Sequence, residues 1–508
     1  MSTIILSTIN ARYIHSALGL RYLFANMTPE MRASTSLLEF VIDNKPIDIA
    51  EKILEKKPKI VGFGVYIWNA EQTQQVIAIL KNVDPTITVI LGGPEVSYQD
   101  DFPAVVELAD YVICGQADRA FQAVCASLLE DSQQTPGCKV VVAPVPALEQ
   151  LALPYAYYDD QDISNRVIYV EASRGCPFKC EFCLSALDKT AWPFPLDNFL
   201  LELDKLYQRG ARSFKFVDRT FNLKIDSSIR ILEFFLTRLD EKLFLHFELI
   251  PDHLPKRLQD IIVKFPPGTI QFEIGIQTFN PTVQTLISRK QDQAKTEENI
   301  RWLRLHSGAH LHTDLIVGLP GESLESIEQS FNRLLALEPH EIQVGILKRL
   351  RGTPLIRHTA SFSMRYNPHP PYNILSNSLI DFHTLQRLSR FARYWDMIGN
   401  SGRFSATRSI LLGDSPFKNF MKLSDWLFEE TGQTHRIALP RLFDLVHRGI
   451  SATQHMSQDK LETALLQDYS RSGIKGRPAF ILDSRDGDFH DTTPRTGKQV
   501  ARRQSRHS

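Results

Sequence analysis

Three of the chain's six cysteines lie in one short stretch, Arg174-Gly175-Cys176-Pro177-Phe178-Lys179-Cys180-Glu181-Phe182-Cys183. Their spacing is C-x3-C-x2-C, and no cysteine follows. Three thiolates on one loop can hold three irons of a 4Fe–4S cluster and leave the fourth iron open, whereas an electron-transfer cluster normally closes all four positions with cysteine. An open iron accepts a ligand, and with it chemistry. The competing reading is a structural zinc site, which needs four tetrahedral nitrogen or sulfur ligands. It finds little support: no histidine lies between His15 and His246, and Cys114, Cys125 and Cys138 stand upstream in a different pattern. A chance trio of buried thiols is the other alternative, and cysteine is too scarce in this chain to favour it.

The elements around the loop indicate how it is positioned. Arg166 to Glu171 reads as a strand running straight into the cysteines. Five more strands follow in a βα rhythm: Phe214–Asp218, Leu245–Leu249, Ile270–Ile276, His312–Val317 and Ile342–Ile346. Amphipathic helices such as Phe199–Arg209 and Ser227–Leu239 lie between them. This rhythm predicts a partial (β/α)6 TIM-type barrel with its functional residues at the C-terminal rim. Asp218 ends its strand, Glu248 lies on the next, and Glu273 and Gln277 share a parity that lets both face inward. Asp314 interrupts an apolar strand that ends in Gly318-Leu319-Pro320-Gly321-Glu322. A carboxylate inside an apolar strand is costly unless paired or bound, so these residues are candidates for ligand binding. Pairing with lysines and arginines for structure alone is the alternative.

Upstream of this region, short Val- and Ile-rich runs alternate with helical patterns. The runs are Ile4–Ile9, Leu37–Ile42, Ile60–Tyr66, Ile87–Leu91 and Tyr111–Cys114; the helices are Ala17–Met27, Ile47–Lys56, Glu71–Lys81 and Pro103–Ala109. This alternation predicts a Rossmann-like, doubly wound parallel sheet, an α/β fold. Gly62, Gly64, Gly92, Gly93 and Gly115 fall within these strands or just past them. Ligands of open α/β sheets sit beyond the carboxyl ends of the strands, where glycine lets backbone approach them closely. Simple turn glycines are the alternative. Downstream, after Gly352-Thr353-Pro354, a stiff turn at Pro368–Tyr372 leads into helical patterns at Ser376–Ile398, Leu423–Glu430 and Pro440–His447. The aromatics there, at helical spacing, read as core. These shifts divide the chain into a first domain (1–135), a linker (136–164), a barrel (165–355), a mostly helical C-terminal domain (356–483) and a polar, disordered tail (484–508).

The cysteine loop, with aromatic Phe182 just before the last cysteine, resembles the signature loop of the radical S-adenosylmethionine (radical SAM) enzymes. That resemblance implies a 4Fe–4S cluster on Cys176, Cys180 and Cys183, and a fourth iron chelated by S-adenosylmethionine. It also implies reductive cleavage to a 5′-deoxyadenosyl radical that abstracts hydrogen from a substrate. The backbone near Phe182 would hold the adenine, Asp218 the cofactor's amino group and Gln277 its ribose, with Glu273 and Asp314 on the same rim. The G-G-E form of the second-strand motif is absent. Val61–Asn69 and Val89–Ser97 resemble the cobalamin-binding domain that precedes many radical SAM cores, which places Gly64, Gly92 and Gly93 against cobalamin. The D-x-H-x-x-G motif of histidine-ligated cobalamin proteins is missing, and His15 has the wrong spacing to replace it. The last segment resembles a C-terminal domain of unknown function found in one cobalamin-type subgroup. With cobalamin, the implied reaction is methyl transfer to an unactivated carbon. The alternatives are a cobalamin-free radical oxidation, rearrangement or cyclisation, and a non-catalytic iron–sulfur redox or binding protein. No catalytic side chain is assigned.

At 508 residues the chain is too long for one ordinary core. A hydrophobic content of 43% and a charged content of 23% are those of a soluble globular protein. Zero net charge provides no global field for nucleic acid, which is not expected as a partner. No apolar run spans a membrane, and the start, Met1 to Ser7, lacks the features of a secretory signal. Few cysteines fit a reducing cytoplasm. The expected partners are a small-molecule substrate and an electron donor such as flavodoxin or ferredoxin.

Overall fold

The computed structural model describes residues 3–130, 138–474, 476 and 478–481. The chain divides into two compact units, one of residues 1–248, 348–357 and 367–373, the other of residues 249–347, 358–366 and 374–508. This division follows packing and cuts across the boundaries read from composition.

The first unit opens with β1 (Ile4–Asn10), α1 (Leu18–Ala25), α2 (Pro29–Ala33), β2 (Thr35–Val41), α3 (Pro46–Leu54), β3 (Ile60–Gly64), α4 (Ala70–Val83), β4 (Thr88–Gly92), β5 (Tyr111–Cys114), α5 (Ala120–Leu129) and β6 (Val140–Val142). All six strands are parallel, in the order β2-β1-β3-β4-β5-β6. The order reverses between β1 and β3, which opens a crevice beyond the strand ends there. Alternation along each strand feeds two cores. Ile5, Ile9, Val61, Phe63, Val89 and Leu91 face one, while Ile4, Leu6, Ile60, Ile90 and Ile113 face the other. Gly62 belongs to the second face: a Cβ there would stand 2.7 Å from the Phe121 ring, so its missing side chain lets α5 lie close.

Two expectations need amending. The segment taken as a linker contains β6, paired with β5, and α6 (Asp160–Asn165). Asp162 of α6 is buried in an ion-paired network with Arg21 and Glu39. Its Pro-, Gln- and Ala-rich composition conceals a strand of only three residues. The predicted helix at Pro103–Ala109 is a 3-10 turn, Ala104–Leu108.

The unit continues with β7 (Ile168–Val170), β8 (Ser173–Arg174), β9 (Trp192–Pro193), α7 (Leu196–Gln208), β10 (Ser213–Phe216), α8 (Ile225–Leu236) and β11 (Phe244–Leu249). β10 pairs in parallel with β7 on one side and β11 on the other. Phe199, Phe214, Phe216, Phe235 and Phe247 are fully buried beneath these strands.

The second unit holds α9 (Lys256–Ile262), β12 (Ile270–Gln277), α10 (Pro281–Leu286), α11 (Gln293–His306), β13 (His310–Val317), α12 (Leu324–Leu335) and β14 (Glu341–Ile346). A short hairpin of β15 (Arg365–Tyr366) and β16 (Ile374–Ser376) follows. The chain then forms α13 (Phe382–Met397), α14 (Ser405–Leu412), α15 (Pro416–Thr431), α16 (Leu439–Thr453) and α17 (Gln458–Arg471). β12, β13 and β14 are parallel. The C-terminal aromatics are core, as expected: Phe391, Trp395, Phe417 and Phe420 pack with Phe331 of α12. Asn400 donates to the Ile342 carbonyl and accepts the Ile342 N–H, both at 2.9 Å, and so satisfies the backbone of β14. α14 and α17 were not anticipated. The buried Asp468 on α17 accepts from the Ala406 and Thr407 amides at the start of α14. A capping partner so distant in sequence leaves no local signal. The tail from 484 onward lies outside the described residues.

Candidate functional site: the cysteine loop and the glycine-lined cavity

The cysteine loop leaves β7 and is held at both ends. β8 pairs antiparallel with β9 across its base. The Cys176 amide donates to the Asp188 carbonyl at 2.9 Å, and the Cys183 amide to the Cys180 carbonyl at 3.1 Å. Gly175 sits at φ +87, and a Cβ there would stand 2.4 Å from the Thr190 carbonyl oxygen, so only glycine closes this turn. Between the cysteines, the buried Glu181 carboxylate accepts from Arg357 Nε at 2.9 Å, and its carbonyl accepts from the Leu355 amide at 3.1 Å. Phe182 follows, half-buried. Burial raises the Cys176 thiol pKa, with Cys183 and Cys180 close enough to add to the effect. A nearby cation is what would turn such thiols into thiolates. Among the described residues no three His, Cys, Asp or Glu side chains converge as ligands of a single ion.

Beyond the carboxyl ends of β3, β4 and β5 lies a cavity of about 490 Å³. Gly64, Gly92, Gly93 and Gly115 line one side of it, and Ser173, Arg174 and Gly175, just before the first cysteine, line another. Gly93 has φ +107, and a Cβ there would stand 2.6 Å from the Val65 carbonyl oxygen. At Gly92 a Cβ would find nothing nearer than the Ile113 carbonyl oxygen at 3.8 Å. These glycines form an open cradle that side chains would fill. Among the described residues no histidine lines it, and Tyr66 does. His15 stands elsewhere, its Nδ1 2.7 Å from the Tyr169 hydroxyl.

A family model described as the Radical SAM superfamily matches residues 170–334, and one described as the B12 binding domain matches residues 5–125. The chain therefore carries a radical SAM domain, preceded by a B12 binding domain. A third model, a protein of unknown function (DUF4080), matches residues 360–505. An uncharacterized methyltransferase, PH0819 of Pyrococcus horikoshii, is 25% identical over 362 residues, 66% of this chain and 77% of its own length. The cobalamin-dependent radical SAM methyltransferase TokK of Streptomyces tokunonensis is 23% identical over 384 residues, and the chain spans about half of it, 54%. The cobalamin-dependent S-adenosylmethionine radical enzyme OxsB superposes with a TM-score of 0.61 at 12% identity, over 92% of this chain and 84% of that one. TsrM of Kitasatospora setae, solved with cobalamin and a [4Fe–4S] cluster, gives 0.59 at 14% identity, over 93% and 100%. These likenesses show the fold: a Rossmann-like sheet, a partial barrel and a helical C-terminal region.

The cofactors of this radical SAM enzyme are accordingly a 4Fe–4S cluster, S-adenosylmethionine and cobalamin. Its residues fit them. Three thiols share one braced loop, and a cavity with glycine walls lies at the strand ends where an α/β sheet binds its ligand.

The rim residues behave differently from one another. Asp218 is buried and fully engaged, accepting from the Ala172 amide at 3.0 Å and from Ser173 Oγ at 2.6 Å. Burial pushes its pKa up to about 6 against those hydrogen bonds. It lines a separate small cavity, of about 40 Å³. Gln277 sits at φ +70, where β12 loses register with β13, and its Oε1 is buried without a hydrogen-bond partner. A strained backbone carrying an orphaned acceptor is what a ligand-binding position looks like. Glu273 lies half-buried on the same strand, in register with His312. Asp314 lies 3.4 Å from His312 Nε2, and Glu341 is 3.3 Å from His312 Nδ1. Burial alone would lower the His312 pKa, but the two carboxylates raise it to about 10. The structural pairing expected for such carboxylates is therefore present: Asp314 faces His312, and Glu248 accepts from Arg219 Nη1 at 2.7 Å.

A third wall of the cavity was missed. Arg174 makes two hydrogen bonds to Asp118, at 2.8 and 3.0 Å, and one to Glu171 Oε2 at 3.0 Å. All three residues line the cavity. Burial drives the Glu171 pKa up to about 7, even beside Arg174. Arg174 was visible in the cysteine motif, but nothing local linked it to an aspartate 56 positions earlier.

Proposed function

We propose that this protein is a cobalamin-dependent radical SAM methyltransferase acting on a small molecule, with its 4Fe–4S cluster on Cys176, Cys180 and Cys183. The observation that carries the proposal is the single cavity lined both by the glycine ends of β3 to β5 and by the residues entering the cysteine loop. When bound, cobalamin supplies a transferable methyl group, and the cluster with S-adenosylmethionine supplies the radical that opens a C–H bond.

The chain's own residues bind and orient. Gly64, Gly92 and Gly93 would leave the space for cobalamin, and among the described residues no histidine lines that space that could serve as a cobalt ligand. The backbone at Phe182 is the candidate for adenine, and Gln277, whose Oε1 has no hydrogen-bond partner among the described residues, remains a candidate for the ribose. Asp218 holds Ala172 and Ser173, and thereby the start of the cysteine loop; it is proposed as a positioning residue for S-adenosylmethionine. Glu273 and Asp314 remain candidates on the rim, Asp314 the weaker because His312 already holds it. Residues 1–135, 165–355 and 356–483 are retained as the functional division. The described residues contain no helix long and apolar enough to cross a membrane, and none of the six cysteines forms a disulfide. The proposed setting is the cytoplasm, with flavodoxin or ferredoxin as the electron donor.

The test is anaerobic purification with metal, sulfide and corrinoid analysis, followed by reduction in the presence of S-adenosylmethionine. The expected outcome is a bound corrinoid, release of 5′-deoxyadenosine, and a Co(II) spin-resonance signal without coupling to a protein imidazole. Protein that forms its cluster but binds no corrinoid would replace methyl transfer with cobalamin-free radical chemistry.

A further inference from the structure

In the second unit, none of the residues assigned above lines a cavity of about 390 Å³ whose walls include Arg304 of α11, Glu338, His340, Arg408 of α14 and Arg471 at the end of α17. Three guanidinium groups face this space with one carboxylate among them. Among the described residues none of the three arginines forms an ion pair, and Arg304 Nε is buried with no hydrogen-bond partner. Arg304 Nη1 meets His340 Nε2 at 2.6 Å, while His340 Nδ1 lies 2.9 Å from the Leu311 amide, which donates to it. Among the described residues the Arg408 guanidinium donates only to the Gly399 carbonyl, at 3.2 Å. Burial lowers the pKa of both Arg304 and Arg408, with Glu338 opposing the shift and Arg304 adding to it at Arg408. The amides that open α14 are already bonded to Asp468, so the attraction for an anion comes from the arginines.

Three positive groups against one negative leave room for two negative charges, and the guanidinium fork matches phosphate oxygens in geometry. The volume is in the range of small-molecule sites, larger than a bare anion requires. We propose that this cavity binds the phosphate group of a small organic phosphate monoester through Arg304, Arg408 and Arg471. The site is independent of the radical chemistry assigned above.

The test is isothermal titration of the full-length protein with phenyl phosphate, and separately with inorganic phosphate, sulfate and a single-stranded RNA lacking a terminal phosphate. Phenyl phosphate should bind more tightly than either inorganic ion. Arg471 is exposed, so R471Q should leave the melting temperature unchanged and weaken binding about tenfold or more, about 1.4 kcal/mol. R408K, which keeps the charge and loses the fork, should fall between wild type and R408Q. The proposal is overturned if wild type does not bind phenyl phosphate, or if R471Q and R408Q bind it as wild type does. It is equally overturned if inorganic phosphate or sulfate binds as tightly as phenyl phosphate, or if the RNA displaces it, since the site would then recognise a bare ion or a polynucleotide.

Discussion

Two sides of the candidate site in the first unit, the cysteine loop and the glycine cradle, are built on opposite terms. The cysteine loop works through side chains that must be present: three thiols, a turn glycine without which Cys176 would shift, and a carboxylate, Glu181, tied down by Arg357. The glycine ends of β3, β4 and β5 work through side chains that must be missing: at Gly92 one would enter the space over its backbone, and at Gly93 φ +107 and the Val65 carbonyl leave no room for one. A site of the first kind fails when one atom is removed, a site of the second kind when one is added. Truncation should therefore destroy the first side and spare the second, and enlargement should do the reverse.

The largest effect is expected at Cys180→Ala. Reconstituted wild type should hold about four irons and four sulfides per chain, and the variant close to none. Corrinoid binding should survive, and its loss together with the iron would mean that the two sides are not independent. Next comes Gly92→Trp, a position with ordinary backbone and open space ahead of it. The indole should occupy the cradle and abolish corrinoid binding, while the iron content stays at the wild-type level. Gly93 is unsuited to this test, because its φ of +107 and the Val65 carbonyl would turn any substitution into a folding defect.

Asp218→Ala sharpens the comparison, because Asp218 touches the loop from outside the cavity. Removing it strands the Ala172 amide and Ser173 hydroxyl, at about 1–3 kcal/mol for a buried unsatisfied group, so iron retention should fall severalfold. Unchanged iron with weakened S-adenosylmethionine binding would instead show that Asp218 faces the cofactor directly.

What was legible in the sequence follows the same division. The cysteine loop could be read because its chemistry dictates both residue type and spacing. The glycine cradle could be read only through topology: Gly64, Gly92 and Gly93 became candidates once Val- and Ile-rich runs predicted strands ending beside them. What could not be read depends on partners far apart in the chain. Arg174 stood within the motif, yet its pairing with Asp118 requires two strand ends to meet. Asp314 was suspected for being a carboxylate in an apolar strand; its partner His312, two residues away on the same face, was within reach of the sequence, but the second carboxylate, Glu341, comes from β14.

The smallest effect belongs to that histidine. Its folded pKa, raised to about 10 from an ordinary 6.5, means that the folded chain keeps a proton the unfolded chain releases. The stabilisation is complete below about pH 6.5 and fades as the pH rises toward 10. Urea midpoints should therefore decline across that window, and His312→Gln should flatten the decline. An equal slope in the variant would assign the pH dependence to other groups.

The two hydrogen bonds from Asn400 to Ile342 have a further consequence. β14 is the last strand in its sheet, and such a strand invites pairing with any neighbouring chain. Asn400 occupies the very groups through which that pairing would begin. Cutting the chain before α13 would not yield a smaller, cleaner catalytic core. It would uncover a template for self-association, and the shortened protein should be recovered as aggregate even if every residue around the iron remained correctly folded.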